Sequence, residues 1–172
     1  MLKGQNIYLR TIEPADAQLI LKWENNSENW AVSNTLVPFS EHLILQYVNS
    51  AQDIFETKQL RFIICTTETD KPIGTIDLFE YDPLHRRAGV GVLIDELSER
   101  NKGYANEALQ LMIRYSWERL NLHSLFCNIF ESNEHSIKLF EKNGFEQTGI
   151  KKDWVFINKE WENELFYQLM NI

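Results

Sequence analysis

Short apolar runs with a two-residue or a 3.6-residue period alternate with polar breaks along the chain. The first run predicts a strand over residues 6–12, and Glu13-Pro14 predicts the start of a helix that reaches about Asn25. The hydroxyl of Ser40 can cap a second helix. The apolar positions of that helix are Leu43, Ile44, Tyr47 and Val48.

Strands and helices alternate in the rest of the chain. Residues 60–66 and 73–81 are predicted strands joined by a turn. The elements that follow are a strand over 88–94, a helix over 104–120, a strand over 124–129 and a helix over 133–143. Aromatic alternation on both sides of Asn158-Lys159 predicts a closing hairpin. This order predicts an α/β protein in which helices cover the faces of a sheet.

Length and composition fit one domain over residues 1–172. The chain has 172 residues, 44% hydrophobic and 12% aromatic, and no Pro/Ser-rich linker or repeat interrupts it. Its first residues lack the apolar region of a signal peptide, and no apolar run approaches the roughly 18 residues of a membrane span. A cytoplasmic protein with no membrane partner is therefore the expectation.

The formal net charge of -8 limits the classes of partner that the protein is expected to bind. It argues against nucleic acid, whose binding needs a basic surface, and it suits a cationic substrate. Glu24, Glu28 and Glu41 could line a cation-attracting mouth, or they could be solvated acids. Cys65 and Cys127 stand outside any C-x-x-C pair, which indicates reduced core residues. The four histidines lack metal-ligand spacing, so no metal site is predicted.

The stretch SERNKGYANEAL, residues 98–109, places charge and a glycine where an apolar helical pattern begins. Glycine costs about 1 kcal/mol in a helix interior, so an open backbone has a purpose here. The first N–H groups of a helix lack internal partners and attract phosphate oxygens. Gly103 permits their close approach, and Arg100 and Lys102 add positive charge. The stretch is either a pyrophosphate cradle or a loop glycine between solvated cations.

Gly89 and Gly91 form a G-x-G inside an apolar strand. The dinucleotide-binding fingerprint follows a strand instead, and no Walker loop occurs in the chain. A strand glycine marks a bulge or a place where a ligand approaches the backbone. One extended ligand could therefore run from this strand to the helix N-terminus.

Four stretches together resemble the GNAT acyltransferase superfamily. Residues 100–105 fit its Q/R-x-x-G-x-G/A motif, and residues 131–149, ESNEHSIKLFEKNGFEQTG, are similar to its later N-x-x-(A/S) segment. HRRAGVGVLID and the N-terminal IYLRTIEPAD complete the likeness over nearly the whole chain. The branch that it resembles most contains the spermidine and ribosomal-protein N-acetyltransferases.

The resemblance implies a mixed sheet of about seven strands with about four helices, and splayed fourth and fifth strands. It implies that backbone N–H groups of Val92, Leu93 and Ile94 hold the pantetheine arm and thioester carbonyl of acetyl-CoA. Those of the loop would hold the pyrophosphate, at Arg100, Asn101, Lys102, Gly103, Tyr104 and Ala105. Asn133 would face the cofactor, with Ser136, Phe140 and Lys142 nearby. Asn133 is equally a helix N-cap.

The implied reaction is N-acetylation by direct attack of a primary amine on acetyl-CoA in a ternary complex. The acceptor would be a small polyamine-like molecule or a peptide N-terminus. An amine with a pKa near 10.4 loses its proton at a cost of about 4 to 5 kcal/mol at pH 7, so that acceptor class needs a base. Candidate bases are Asp77 and Glu80, which strand alternation places on opposite faces. Glu80, acting through a water, is favoured, and either residue could be a solvated carboxylate.

Two positions depart from the spermidine-acetylating pattern. Phe140 replaces a tyrosine that is thought to protonate the leaving thiolate, and Gly89 replaces a glutamate. Ser136, one turn before Phe140, is then the nearest catalytic hydroxyl. These departures leave open the alternative that the protein is a catalytically weak relative, which binds acyl-CoA as a sensor or interaction module.

Gly144 is predicted to end the helix over residues 133–143, with the ring of Phe145 packed on that of Phe140. A homodimer is a common state for such small enzymes.

Overall fold

The computed structural model describes residues 2–30, 35–50, 53–157 and 159–172. Over these residues, eight strands form one mixed sheet in the order β1-β2-β3-β4-β5-β6-β8-β7. The strands are β1 (Leu2–Lys3), β2 (Ile7–Thr11), β3 (Leu60–Thr66), β4 (Pro72–Asp82), β5 (Arg87–Ile94), β6 (Ser124–Phe130), β7 (Glu146–Ile157) and β8 (Glu160–Met170). The α-helices in the described ranges are α1 (Ala17–Glu24), α2 (Glu41–Asn49), α3 (Ile54–Thr57), α4 (Tyr104–Glu118) and α5 (Glu134–Lys142).

Local sequence signals account for most of these boundaries. The predicted strand over residues 60–66 is β3 itself, and the predicted helix after Glu13 is a short 3-10 turn, Pro14–Asp16, followed by α1. Ser40 caps α2, because its side chain accepts a hydrogen bond from the N–H of Leu43 at 3.2 Å. Gly144 follows α5 with a φ of 85°, as predicted for a helix-ending glycine.

Helices cover both faces of the sheet, and β3 shows why. Successive side chains of a strand point to opposite faces. Ile63 and Cys65 of β3 therefore belong to the core under α1 and α2, whereas Phe62 and Ile64 belong to the core under α4. The sheet is thus the middle layer of three.

Strands β5 and β6 are the one parallel pair among the described strands, and α4 is the connection between them. They pair only from Arg87–Gly89 to Ser124–Phe126, so residues 90–94 have no partner in β6. The predicted splay of these two strands is confirmed. It leaves one edge of β5 open directly before the loop that leads into α4.

The fold differs from the prediction in the number of strands and helices, and it contains two short elements that were not predicted. Eight strands and five α-helices are described, against the expected seven and four, and neither β1 nor α3 was predicted. β1 has two residues and α3 has four, which is too short to show a period. The predicted closing hairpin is β7 with β8; Lys159 lies at its turn, and Asn158 lies outside the described residues. None of the described helices is both long and apolar enough to cross a membrane.

Candidate active site

A cavity of about 880 Å³ lies where β5 and β6 separate. It extends from the space under α1 and α2, across β3, β4 and β5, to the far side, where β6 and α5 form the wall. The cavity therefore joins β5, which the sequence analysis assigned to acetyl-CoA, to Glu24, which it considered for a cationic substrate. Its walls include Trp23, Glu24, Tyr47, Arg61, Asp77, Phe79, Glu80, Val92, Leu93, Asp95, Asn128, Asn133, Ser136, Phe140 and Glu164.

The open edge of β5 supplies the middle of the cavity. Val92 and Leu93 line it directly, while Ile94 is only 8% exposed. The other edge of the strand is occupied, because β5 pairs with β4 without interruption from Gly74↔Ile94 to Phe79↔Gly89. The backbone groups of β5 that point away from β4 therefore face the gap.

At Gly89 of β5, a side chain of the protein itself fills the space that a Cβ would take. A Cβ on Gly89 would lie 2.2 Å from a ring carbon of Phe79, and one on Gly91 would lie 3.8 Å from the same ring. Gly89 makes room for Phe79, whose ring packs on Phe126 at 5.7 Å between centroids. The ring of Phe79 leaves no room for a ligand at Gly89, whereas the predicted bulge lies beside this residue, where the register shifts between the pairs Phe79↔Gly89 and Asp82↔Arg87.

The bulge of this region lies in β4, at Glu80. The β4–β5 register shifts between Phe79 and Asp82, and Glu80 has a φ of 49°, in the left-handed region. A bulge interrupts the alternation of side chains along a strand. Strand alternation therefore no longer determines the face on which Glu80 lies, and both Asp77 and Glu80 line the cavity.

The loop before α4 has the open backbone that the sequence predicts. Gly103 has a φ of 83°, and no atom lies within 4 Å of the position that a Cβ would take. The N–H of Glu107 bonds to the Gly103 carbonyl, so the N–H groups at positions 104–106 precede the first helical bond. These groups and the helix dipole suit an anion.

The two cations of this loop, which were predicted to add positive charge to the cradle, both contact other groups of the protein. Nε of Arg100 donates to the carbonyl oxygen of Ile94 at 2.8 Å, and Nη2 donates to that of Asp95 at 3.4 Å. Nζ of Lys102 lies 2.8 Å from Glu99, and this hydrogen bond chiefly raises the pKa of Lys102. Arg100 thus fixes the loop to the end of β5.

Glu107 fixes the first turn of α4 to the N-terminal strands, a role that sequence reasoning missed. Its carboxylate accepts from the backbone N–H of Gln5, from that of Asn6 at 2.9 Å and from that of Ile7 at 3.4 Å. The side-chain amide of Asn6 adds a bond of 3.0 Å. Burial alone would raise the pKa of Glu107, but these hydrogen bonds outweigh it and lower the pKa.

Glu107→Gln is expected to reduce the free energy of unfolding by about 1.5 to 3 kcal/mol at pH 7, because an amide satisfies fewer of these donors. A lowered carboxyl pKa stabilises the fold fully above the ordinary value of 4.5 and loses this effect as the pH falls through the lowered value. The difference between the wild type and the variant should therefore shrink below about pH 4.5. Denaturant unfolding from pH 3.5 to 7 measures it.

Glu118→Gln is the matched control, because Glu118 is exposed at the other end of the same helix. We expect it to change stability by no more than about 0.5 kcal/mol at any of these pH values. A Glu107→Gln deficit that stays constant down to pH 3.5 would contradict the role of the carboxylate charge.

The start of α5 brings three predicted residues to the cavity. Asn133 is the N-cap, since its side chain accepts from the N–H of Ser136 at 3.1 Å, and both line the cavity. Phe140 also lines the cavity, but it is only 4% exposed and packs edge-on against Phe145 at 5.0 Å. The predicted contact of these two rings is confirmed. Lys142 is exposed and is absent from the cavity wall, because it lies in the last turn of α5.

An ion cluster that the sequence did not predict lies at the α1–α2 end of the cavity. Arg61 of β3 donates from Nε to Oδ1 of Asp77 at 2.6 Å and from Nη2 to Oδ2 at 3.2 Å, and it pairs with Glu24 through Nη1. Its guanidinium carbon lies 5.7 Å from the ring centre of Tyr47. Burial alone would lower the pKa of Arg61, but the charge of Asp77, its hydrogen bonds to the guanidinium and the charge of Glu24 raise it. The one sequence signal is an arginine inside an otherwise apolar strand.

The other acids divide into cavity and surface groups. Asp95 is only 6% exposed and its Oδ1 accepts from the side-chain amides of Asn26 at 3.0 Å and Asn29 at 2.6 Å. This bond joins the end of β5 to the segment after α1. Glu28 is exposed, and Glu41 accepts from Gln18 at 2.7 Å. Neither lines the cavity, so the predicted acidic mouth keeps only Glu24.

Both cysteines are buried, as predicted. Cys127 lines the cavity, and burial raises the pKa of its thiol, so that it stays protonated at neutral pH. In the described ranges, no group of three His, Cys, Asp or Glu side chains is placed to hold a metal ion.

Residues 6–146 match the family described as "Acetyltransferase (GNAT) domain". The chain belongs to this family. The match contains β2 to α5, and hence the open edge of β5, the loop before α4 and the whole of α4. Members of the family are acetyltransferases, which is the activity class that the resemblance implied.

Relatives with named activities cover nearly the whole chain. The chain is 27% identical to the probable N-acetyltransferase YjcK of Bacillus subtilis, over 99% of this chain and 97% of that protein. It is 26% identical to the spermidine N(1)-acetyltransferase of Escherichia coli, over 96% and 86%. Among solved structures, the spermidine N-acetyltransferase of Vibrio cholerae in complex with CoA and spermine has a TM-score of 0.87 at 23% identity, over 97% and 96%. That similarity establishes the fold.

Proposed function

We propose that this GNAT protein transfers the acetyl group of acetyl-CoA to a primary amine, on a small polyamine-like cation or a peptide N-terminus, by direct attack in a ternary complex. One observation carries the proposal. A continuous cavity joins the open edge of β5 to an acid-lined space under α1 and α2. This continuity supports a complex in which acetyl-CoA and the amine are bound at the same time.

The cofactor half fits CoA by shape and by hydrogen-bond donors. The N–H groups at the start of α4 and the open space at Gly103 suit a pyrophosphate. The open edge of β5 at Val92, Leu93 and Ile94 suits the amide-bearing pantetheine arm. Arg100 holds the two surfaces together through the carbonyl of Ile94. Bound there, CoA would supply the activated acetyl thioester.

The chain's own residues would move the protons. In the reaction a nitrogen–carbon bond forms, the carbon–sulfur bond breaks, the amine loses a proton and the thiolate gains one. Glu80 suits the base, acting through a water, because it is exposed at the cavity wall, whereas both oxygens of Asp77 already accept from Arg61. Ser136, one turn before Phe140, would donate to the thiolate, since the phenyl ring has no proton to give.

The charge of the cavity wall favours a cationic acceptor. Among the described residues, five acids line it, at Glu24, Asp77, Glu80, Asp95 and Glu164, against Arg61 in the wall and Lys151, which pairs with Glu164 at 2.6 Å. An excess of one charge sign in a cleft concentrates ligands of the opposite sign. The relatives named spermidine acetyltransferases support a polyamine-like amine as the first acceptor to try.

The test is release of free thiol from acetyl-CoA with polyamines, aminoglycosides and peptides with free N-termini. We expect turnover with a polyamine-like amine, and a steep fall in kcat/KM as salt shortens the Debye length from about 30 to about 8 Å. Turnover that is indifferent to salt and selective for peptides would move the acceptor to a peptide N-terminus. No thiol release with any amine, together with intact CoA binding, would leave an acyl-CoA-binding module.

A further inference from the structure

Asp95 follows β5 directly and lies in the wall of the cavity, where only 6% of it is exposed. Its main-chain N–H donates to the carbonyl oxygen of Ile73 at 3.0 Å, so its backbone continues the pairing of β5 with β4. In its side chain, Oδ1 accepts from the amides of Asn26 at 3.0 Å and Asn29 at 2.6 Å. These bonds fix the orientation of the carboxylate.

The second oxygen of this carboxylate, Oδ2, is open to the cavity. It accepts no hydrogen bond from the described residues, because both amides donate to Oδ1. In the same ranges, the side-chain atoms that are fully buried without a hydrogen bond are Nε1 of Trp23 and Oγ of Ser116, and Oδ2 is not one of them. Solvent therefore reaches Oδ2, and the space that Asp95 borders is the cavity.

In the part of the chain that the structure describes, no cation of the protein pairs with the carboxylate of Asp95. Lys22 and Lys71 instead pair with the next residue, Glu96, at 3.1 and 3.4 Å. Arg100 donates to the main-chain carbonyl of Asp95 at 3.4 Å and not to its side chain. A buried carboxylate without a cation is costly, because it has lost its hydration and gained no ion pair.

The other described acids of the cavity wall do not have this combination of burial and missing partner. Three of them pair with a cation of the protein: Glu24 and Asp77 with Arg61, and Glu164 with Lys151. The fourth, Glu80, is exposed, so water solvates it. A cationic group of a ligand would supply to Asp95 the charge that the fold supplies to the first three.

We propose that Asp95 binds a second, protonated nitrogen of the acceptor while the first nitrogen attacks the thioester. It would thereby select acceptors that carry two amines. Oδ2 would accept from the ammonium group, and Oδ1 would keep its bonds to Asn26 and Asn29. Asp95 takes up no proton and forms no covalent bond in this role. The inference rests on the proposed function for the place of attack at the open edge of β5.

The position of Asp95 along the chain sets the distance between the two nitrogens. Val92 and Leu93, at the open edge of β5, precede it by three and two residues. At about 3.3 Å per residue of strand, Asp95 lies about 7 to 10 Å beyond them. An extended chain spans about 1.2 Å per bond, so a diamine with about six carbons between its nitrogens fits this distance.

Asp95→Asn tests the proposal, because asparagine retains Oδ1 for the two amides and replaces Oδ2 with an NH₂ group that cannot accept. We expect calorimetry with excess CoA to give a Kd for the six-carbon diamine that is about ten- to a hundredfold higher than that of the wild type. The amino alcohol of the same length lacks the second amine, and it should bind to both proteins equally.

Turnover should show the same selectivity in KM. In the thiol-release assay, Asp95→Asn is expected to raise KM for the diamine by about ten- to a hundredfold, with kcat within about threefold of the wild type. Both constants for the amino alcohol should be unchanged. Glu96→Gln is the matched control, because Glu96 is the next residue and is absent from the cavity wall. It should retain the preference for the diamine.

Three results would overturn the proposal. They are equal losses for the diamine and the amino alcohol, which would make Asp95 a structural support of the segment after α1; an unchanged Kd for the diamine in Asp95→Asn; and a wild type that does not bind the diamine. Diamine turnover that Asp95→Asn leaves intact would retain the proposed acetyl transfer without this subsite. Diamine binding that depends on Asp95, without thiol release, would retain the subsite and overturn the proposed transfer.

Discussion

Gly103→Asp is expected to abolish the thermal stabilisation that CoA gives the wild-type protein. The substitution places a carboxylate beside the N–H groups at the start of α4, where the space around a Cβ is open. A negative charge there both occupies the proposed pyrophosphate site and repels the phosphates. The aspartate also satisfies the helix N-terminus itself, so the fold should persist.

The wild-type effect is large enough to measure easily. A ligand at about 100 times its dissociation constant adds roughly 2.7 kcal/mol to the free energy of unfolding. At this chain length that corresponds to a rise in Tm of about 5 to 10 °C. A thermal-shift titration with CoA, without an acceptor amine, should give this rise for the wild type and none for Gly103→Asp.

Gly103→Asn separates charge from size. Asparagine has the shape of aspartate and also tolerates the left-handed φ of 83° at this position, but it carries no charge. We expect it to retain part of the CoA-induced rise in Tm. A full rise in folded Gly103→Asp would remove the loop from the CoA site, and equal losses in both variants would attribute the effect to size.

Arg61→Met is expected to reduce the free energy of unfolding by about 2 to 3 kcal/mol, which corresponds to a fall in Tm of about 5 to 10 °C. Methionine keeps the apolar stem but leaves Glu24 and Asp77 facing each other without the guanidinium between them. Breaking a fully buried ion pair costs about 3 to 5 kcal/mol, and this cluster is roughly a fifth to a quarter exposed, so the loss should be smaller. Denaturant unfolding at pH 7 measures it.

Removing the two acids tests whether the loss comes from charge. In the triple variant Arg61→Met, Glu24→Gln, Asp77→Asn the cluster is neutral, and at least half of the lost stability should return. Arg114→Met, on the exposed surface of α4, is the control and should change stability by no more than about 0.5 kcal/mol. A triple variant as unstable as Arg61→Met would show that the stem packing of Arg61, and not the ion cluster, supports this end of the cavity.

Local signals determined much of the secondary structure and of the proposed cofactor half of the site. Ser40 and Asn133 are N-caps, and Gly103 and Gly144 have positive φ, because such roles depend on the dihedral angles and side-chain reach of a few consecutive residues. The strand β3 was predicted to the residue because its apolar run ends at polar residues on both sides.

The partners of the charged and aromatic side chains came from the tertiary structure alone. Arg100 and Lys102 looked available for phosphate in the sequence, yet Arg100 bonds to the end of β5. Gly89 looked like a ligand contact in the sequence, yet the ring of Phe79 fills the space beside it. Neither partner can be predicted from a period: the register of β4 and β5 decides that Phe79 meets Gly89, and the path of the loop decides that Arg100 reaches the carbonyl of Ile94.

The sequence by itself determined the family, the order of the elements and the open loop at Gly103, since these depend on motifs and on neighbours along the chain. Only the tertiary structure decided that Arg61 meets Glu24 and Asp77, 37 and 16 residues away along the chain, at the end of the cavity under α1 and α2. It also decided that the bulge lies at Glu80, and hence that this carboxylate joins Asp77 on the wall. The physical reason is that charge pairing and strand register follow from distances in space, which the folded sheet sets and the local pattern does not.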